Sequence, residues 1–337
     1  MKLRIVQVGL GKWGRNWFQE ILRRHRAAEV VAFVDPSDEA LATARGDGGI
    51  EPARCFASLG AALRAVKADA LVITASLPAH VPACRAGLAE GLHVLVEKPF
   101  VLREREAREL AAMARKRKRL LMVSQNYRFY PSVRAVQKLV REERLGAVGA
   151  IAIDFRRYAN GRPRKHAHFQ LEEPLLRDMA VHQMDLVRAV LGREAREVLC
   201  WSHNPPWSRF AESPSASALL DFGGGVHVNY CGSWIAHEAQ TPWAGLWTVE
   251  CARGAIVWSS RGDDADEWVR IHRLGGAFRS VKLPKLRAVD RAGAFAHFVQ
   301  CVEEHVEPET SARDNAQTIR LVNALIASAK SRRAVRL

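Results

Sequence analysis

No run in this chain is long and apolar enough to cross a bilayer, which excludes a membrane-spanning helix. The first residues, Met1-Lys2-Leu3-Arg4-Ile5-Val6, pass straight into a strand pattern, without the apolar segment and small-residue cleavage site of a secretory leader. The six cysteines, Cys55, Cys84, Cys200, Cys231, Cys251 and Cys301, lie far apart, and no Cys-x-x-Cys pair suggests a metal or redox site. The expectation is a reduced, cytoplasmic enzyme. Internal repeats and low-complexity linkers are absent as well.

Acidic residues are the scarcer charge. Asp and Glu number 36 against 51 Lys and Arg, giving a formal net charge of +15 and a pI near 10.1. Such a field can steer acidic ligands or hold nucleic acid non-specifically. Here the basic residues are scattered over the whole chain, the pattern of a general solubility effect. The densest run, Arg115-Lys116-Arg117-Lys118-Arg119, falls at a predicted helix C-terminus, where cations complement the dipole, and no aromatic residues interleave it. No specific nucleic-acid partner is expected.

What is present is a soluble, core-forming composition: 48% hydrophobic and 26% charged over 337 residues, enough for about two domains. Residues 3 to 8 alternate as a strand and pass into Gly9-Leu10-Gly11-Lys12-Trp13-Gly14, followed by a helix over Asn16 to Arg24. In a strand, glycine turn and helix of this kind, Gly9 permits the tight turn, Gly11 lets backbone approach a pyrophosphate, and Gly14 lets helix and strand pack closely. Glu29 to Val34 gives a second strand ending in Asp35, about 20 residues beyond the glycines, where a carboxylate accepts from adenosine ribose hydroxyls and repels a 2'-phosphate. The other reading of Asp35-Pro36-Ser37 is an ordinary turn.

Apolar runs follow at Ala70 to Ala75 and Leu120 to Ser124, with the run His93 to Phe100 between them, and helices are predicted among them, one opened by Pro78 and closed at Gly91, another over Arg103 to Arg117. The run from His93 ends in Glu97-Lys98-Pro99. An acid and an ammonium at the end of a buried strand must be paired or used, and Pro99 cannot continue a sheet ladder. The two readings are a surface ion pair and a lysine at the mouth of a ligand crevice.

Strands alternating with helices over residues 1–124 predict a doubly wound parallel sheet, an N-terminal α/β domain. From Gln125 the rhythm changes. A helix over Tyr127 to Arg144, interrupted by Pro131, is followed by strand-like runs at Val148 to Phe155, Ala195 to Ser202, Ala216 to Phe222, Val226 to Trp234, Leu246 to Cys251, Ala255 to Trp258 and Trp268 to His272. Residues 125–337 are therefore expected to form a second α/β domain on a large, mostly antiparallel open sheet, with closing helices at Arg291 to His305 and Asp314 to Arg332.

One helix interrupts those strands, from about Leu176 to Leu191, and carries Asp178, His182 and Asp185 near one face. A carboxylate one turn from an imidazole fixes its tautomer and raises its basicity, as a general base near neutral pH requires. The alternative is a solvated polar face.

Taken together, Gly9-Leu10-Gly11-Lys12-Trp13-Gly14, Val34-Asp35-Pro36, Pro78-Ala79-His80, Glu97-Lys98-Pro99-Phe100, Asn126-Tyr127-Arg128-Phe129 and Asp178-Met179-Ala180-Val181-His182 resemble, in order and spacing, the glucose-fructose oxidoreductase / inositol dehydrogenase / MocA (Gfo/Idh/MocA) family. The likeness extends over nearly the whole chain, to the closing Ser328-Ala329-Lys330-Ser331. It implies a Rossmann domain, a second domain with a large open sheet, and NAD(P)-dependent oxidation or reduction at a hydroxyl-bearing carbon of a sugar, sugar acid, nucleotide-sugar or cyclitol. It implies cofactor contacts at Gly9, Gly11, Lys12, Trp13, Gly14, Asp35, Thr74, Ser76, His80, Glu97 and Lys98, with NAD ahead of NADP because of Asp35. It implies that Lys98 touches both nicotinamide ribose and substrate, across a cis bond to Pro99, and that Asp178 and His182 face the reacting hydroxyl. Two departures bear on the backbone beside the substrate: Ala180 stands where the family usually has glycine, and Glu172-Glu173-Pro174 replaces a glycine-rich approach.

The expected chemistry is hydride transfer with Lys98, Asp178 and His182 as catalytic residues. His182 takes the hydroxyl proton, Asp178 orients it with Asp185 as second candidate, and the Lys98 ammonium stabilises the developing alkoxide. The same fold serves glycosidases that hold NAD tightly and non-catalytic nicotinamide-dependent regulators; a proton acceptor argues against the latter. The cation-dense loop from Arg156-Arg157-Tyr158 to His166-Ala167-His168 suits an anionic substrate or is a solvated basic loop. Trp201, Trp207, Trp234, Trp243 and Trp247 either stack on a sugar or fill core and interface. His166 and His168 lack the further ligands a zinc site needs, so no metal is expected. An open sheet is a liability in a monomer, which predicts a homodimer or homotetramer.

Overall fold

The computed structural model describes residues 2–163, 167–237, 240–261 and 267–337. The chain forms two units, Met1–Asn126 with Arg291–Ala316, and Tyr127–Asp290 with Gln317–Leu337.

In the first unit β1 (Leu3–Val8), β2 (Ala28–Val34), β3 (Cys55–Phe56), β4 (Ala70–Ile73), β5 (His93–Val96) and β6 (Leu121–Val123) form one parallel sheet in the order β3-β2-β1-β4-β5-β6. β4 is buried throughout and β5 nearly so, which is why both read as unbroken apolar runs: helices cover both faces of such a sheet. The helices are α1 (Lys12–Trp17), which continues as a π-helical turn over Phe18–Leu22, α2 (Asp38–Gly48), α3 (Leu59–Ala65), α4 (His80–Ala89) and α5 (Glu104–Arg117). Ser37 and Ser58 cap α2 and α3, each accepting a backbone N–H from three residues on. The basic run ends α5, with Lys118 in the left-handed conformation that stops it. The strand order reverses between β1 and β4, the place where a doubly wound sheet opens a crevice at its carboxyl edge.

The segment Arg291–Ala316, which a linear division leaves in 125–337, packs with this first unit. It holds most of α8 (Asp290–Glu304) and pairs beside β6: Val123 N–H donates to Thr310 O at 2.9 Å and the Thr310 hydroxyl to Val123 O at 2.7 Å. Its partner strand lies far earlier in the chain, so no local pattern announces the return.

In the second unit β7 (Val148–Arg156), β8 (Glu197–His203), β9 (Ser215–Asp221), β10 (His227–Ser233), β11 (Leu246–Cys251), β12 (Gly254–Ser259), β13 (Trp268–Arg273), β14 (Phe278–Ser280) and β15 (Val335–Arg336) form a nine-stranded sheet in the order β14-β13-β12-β11-β7-β10-β9-β8-β15. Every neighbouring pair is antiparallel except β7 with β10. Burial alternates along β9 and β10: Ala216, Ala218, Leu220, Val228 and Tyr230 enter the core, while Ser217, Leu219, Asn229 and Cys231 face outward. The buried face shares one core with α6 (Pro131–Arg141), α7 (Val181–Leu191) and the part of α9 (Ala312–Ser331) beyond Ala316.

The helix expected over Tyr127 to Arg144 takes a different form: a 3-10 turn at Asn126–Phe129, then α6, which Pro131 begins rather than interrupts. A proline's fixed φ and missing N–H suit a first helical turn. β3, β14 and β15 lay outside the predicted set, since strands of two or three residues carry no readable period.

Candidate active site

The first unit builds a dinucleotide crevice from the glycine turn after β1. Gly9 has φ +97°, and a Cβ there would fall 2.3 Å from Ala75 N. A Cβ on Gly14 would fall 1.9 Å from Gly9 O, so α1 rests on the turn itself. Gly11, which leads into α1, has nothing within 4 Å of its Cβ position, leaving open space over the backbone. Gln7 Nε2 donates to Gly14 O at 2.7 Å and to Thr74 Oγ1 at 3.1 Å, and the Thr74 hydroxyl lies 2.8 Å from Gly9 O. Thr74, an expected cofactor contact, is thus buried and stitches the turn together.

Asp35 follows β2. Its Oδ2 accepts the Leu10 N–H at 2.7 Å and its Oδ1 the Ser37 N–H at 2.9 Å, and each oxygen keeps a second lone pair. Lys12 and Trp13 are exposed on the first turn of α1, and Ser76 is exposed just beyond β4. His80 is buried with Nδ1 near the carbonyls of Pro99 (3.1 Å) and Phe100 (3.2 Å) and Nε2 near Ala75 O (3.0 Å). Its ring therefore ties the loop after β4 to the loop after β5.

Glu97 and Lys98 follow β5. Glu97 is buried, its Oε1 accepting Trp17 Nε1–H at 2.7 Å and its Oε2 the Lys98 backbone N–H at 3.1 Å. Burial pushes its carboxyl up from the usual range; the Lys98 ammonium and the Trp17 and Trp13 indoles pull it back. Lys98 is half-buried and its bond to Pro99 is cis. The Arg291 guanidinium lies 4.2 Å from the Trp13 ring centre and 5.7 Å from that of Trp17. Trp17 and Arg291 were not foreseen: the first looks like any core aromatic, the second belongs to the returning segment.

The second unit carries the other candidates. Asp178 lies in a π-helical stretch, Leu175–Ala180, and His182 in the α7 that continues from it, so the single α-helix expected from about Leu176 has a wider opening turn. Glu173, in the segment that replaces a glycine-rich approach, has φ +45°, a conformation glycine takes without strain. Ala180 is fully buried. The His182 ring is buried and stacks on Tyr127, centroids 3.9 Å apart and planes 5° from parallel. The Arg261 guanidinium, 4.8 Å from the Tyr127 ring centre, donates to the Tyr127 hydroxyl. Burial pushes the Tyr127 phenol up to about 12, with Arg261 opposing and the Asp290 and Asp178 carboxylates adding to the rise. Arg261 is 134 residues from Tyr127, too far for any sequence signal.

Asp178 is about one-third exposed, its Oδ2 3.2 Å from His168 Nε2. Asp185, the second candidate for orienting His182, sits among cations. It is buried in a two-pronged pair with Arg128 (2.6 and 2.7 Å), with Thr318 Oγ1–H at 3.1 Å and Arg188 at 3.9 Å. In the cation-dense loop, Arg156 pairs with Asp154 at 3.0 Å, Arg157 stacks 4.4 Å over Trp243, and His166 lies outside the described residues. Trp247 stacks on Trp258 in the core, Trp201 and Trp207 are exposed, and Trp234 is buried against His168. Among the described residues no group of three or more His, Cys, Asp or Glu could hold a metal ion, and no helix is long and apolar enough to cross a membrane.

The crevice of the first unit and its sheet define a dinucleotide-binding domain. The profile of the oxidoreductase family with an NAD-binding Rossmann fold matches residues 3–125, and that of the GFO/IDH/MocA C-terminal domain matches residues 133–257. The chain belongs to the Gfo/Idh/MocA oxidoreductase family. It is 28% identical over 345 residues to the D-apiose dehydrogenase of Paraburkholderia graminis, covering 98% of this chain and 88% of that one. In fold it matches an oxidoreductase from Agrobacterium radiobacter, solved with NAD+, L-tartaric acid and magnesium, at a TM-score of 0.86, with 19% identity and coverage of 100% and 98%. It likewise matches the WlbA dehydrogenase of Bordetella pertussis, solved with NADH and UDP-GlcNAcA, at a TM-score of 0.82, with 20% identity and coverage of 100% and 99%.

Proposed function

We propose that this chain is an NAD-dependent dehydrogenase or reductase acting at a hydroxyl-bearing carbon of a sugar, sugar acid, nucleotide-sugar or cyclitol. The observation that carries this reading is His182, a buried imidazole stacked on a phenol that burial keeps protonated, one turn from the carboxylate of Asp178, on a chain that also has a dinucleotide crevice. The residues of the crevice suit the cofactor: open backbone at Gly11 for a pyrophosphate, and lone pairs on Asp35 for ribose hydroxyls. The same carboxylate beside a 2'-phosphate costs repulsion, which favours NAD over NADP. The bound nicotinamide supplies the hydride acceptor or donor. His182 takes the hydroxyl proton, and Asp178 orients His182 and favours the imidazolium that results. The Lys98 ammonium stabilises charge developing on the substrate oxygen, worth several kcal/mol in a dry site. The name of the Paraburkholderia relative supports a sugar substrate. The open sheet face supports a homodimer or homotetramer.

The test is a turnover screen with NAD and NADP over neutral sugars, cyclitols, uronates and nucleotide-sugars. On the substrate found, Lys98→Ala and His182→Ala are each expected to lower kcat by about 100-fold to 10,000-fold. Parental turnover in both variants would overturn the assignment, and tighter binding of NADP would overturn the role of Asp35.

A further inference from the structure

His168 is a buried imidazole beside Asp178 to which the chemistry above gives no task, and the inference drawn from it rests on the dehydrogenase reading. Arg162 Nη1 stands 2.9 Å from His168 Nδ1. A guanidinium can only donate, so Nδ1 is the acceptor and carries no proton. The proton of the neutral ring is then on Nε2, the nitrogen 3.2 Å from Asp178 Oδ2, in contact though off the line of an ideal hydrogen bond. The ring is held in that attitude by Trp234, edge-on at 4.9 Å, and by Phe210 at 5.3 Å. Trp234 Nε1–H in turn donates to the carbonyl of Pro174, the residue before the π-helical stretch that carries Asp178, at 3.4 Å. Arg162 is fixed from its own side: its N–H donates to Ala159 O at 3.2 Å, its carbonyl accepts from Arg209 Nη1 at 3.1 Å, and its guanidinium lies 5.9 Å from the Trp234 ring centre.

We propose that Arg162 and His168 form a positioning relay for Asp178: Arg162 sets the tautomer of His168, and the His168 Nε2–H fixes the Asp178 carboxylate. A neutral N–H orients a carboxylate without cancelling its charge. That charge is felt at Tyr127, on which His182 stacks. A guanidinium placed directly on Asp178 would orient it equally well and quench the charge that His182 needs. His168 and Arg162 are positioning residues, acting through Asp178.

Imidazole nitrogen NMR of the isotope-labelled full-length chain reads the tautomer without a substrate, the signals being assigned with His168→Gln. The expected result is an Nε2–H ring at His168 in the parent and a mixture of tautomers in Arg162→Met. An Nδ1–H ring, or a doubly protonated one, in the parent would overturn the relay. On a substrate whose turnover depends on His182, His168→Ala is expected to lower kcat by about tenfold to a hundredfold with the KM for cofactor unchanged, through loss of the N–H that faces the Asp178 carboxylate. His168→Gln, whose amide accepts from Arg162 and donates to Asp178, should recover most of it. Parental kcat in His168→Ala would overturn the relay. Turnover that survives His182→Ala counts instead against the dehydrogenase reading, and the tautomer alone then decides the relay.

Discussion

Asp178 and Asp185 are the same residue type on one helical run, and they lie in opposite surroundings. Asp178 is partly exposed and lies 3.2 Å from His168 Nε2; Asp185 is enclosed with Arg128, Thr318 and Arg188. Removing one partner of a buried ion pair strands the other charge, at a cost of about 3–5 kcal/mol. Arg128→Met is therefore expected to lower unfolding stability by that amount in urea titrations; a change under about 0.5 kcal/mol would show that the pair is not holding the helix. His93 gives a pH dependence by related physics. Burial, then the nearby Arg119 and His305, depress its imidazole to about 4, against a weaker pull from Asp69, and its Nδ1 accepts the Leu120 N–H at 3.1 Å. The unfolded chain, with an ordinary value of 6.5, binds the proton first as pH falls. Native stability is thus lost between pH 6.5 and about 4 and is present above that window. His93→Val should flatten this part of the stability profile relative to the parent, and an unchanged slope would remove His93 as its source. At this scale the legible residues were those with short-range grammar: Lys98 at the end of an apolar strand, His182 one turn from Asp178. The supports were not legible, because Arg128 meets Asp185 57 residues later and Tyr127 meets Arg261 134 residues later.

Among the elements, the glycine turn separates two requirements that a motif merges. Gly14 answers a packing demand, since a Cβ there strikes Gly9 O, whereas Gly11, the N-cap of α1, has a negative φ of −56° that any residue adopts and empty space above it. Gly14→Ala should destabilise the fold by about 1–3 kcal/mol or more through overpacking. Gly11→Ala should leave the melting temperature unchanged while weakening NADH binding about tenfold, as a methyl group takes the place of a close phosphate approach. Fluorescence titration with NADH alongside thermal melts checks both, and equal losses in the two variants would refute the distinction. The turn was readable because its glycines are local, and β4 and β5 because buried parallel strands are unbroken apolar runs. The π-helical opening before His182 was not, because Leu175–Ala180 has nothing in its residue types that an α-helix would refuse. Pro131 was visible but misassigned, since a proline in a helical pattern reads equally as a break or a beginning.

For the whole molecule, the change of rhythm near Gln125 marks a second sheet domain, but not the late return of Arg291–Ala316 to the first unit, which rests on pairing between distant segments. The outer face of the nine-stranded sheet bears on assembly. Trp201, Leu219 and Leu246 are about 40–50% exposed, and a shallow groove of about 430 Å³ runs beside Trp201, Leu219 and Cys231. The charges beside that groove, Asp154 and Arg156, are paired with each other at 3.0 Å, so the groove itself carries no net charge on a chain of net charge +15. A second copy brings the same face, and a two-fold axis lets each cover the other. Two such chains repel through the rest of their surfaces, and the repulsion is screened over about 10 Å at 0.1 M salt. Assembly through the apolar face should consequently tighten as salt rises, whereas assembly through ionic contacts would loosen. Light scattering is expected to give a dimer or tetramer at micromolar concentration, favoured further by added salt, with Leu219→Asp shifting the parent species to a smaller one. A monomer at all salt concentrations, or an oligomer that added salt dissociates, would show that this face does not join the copies.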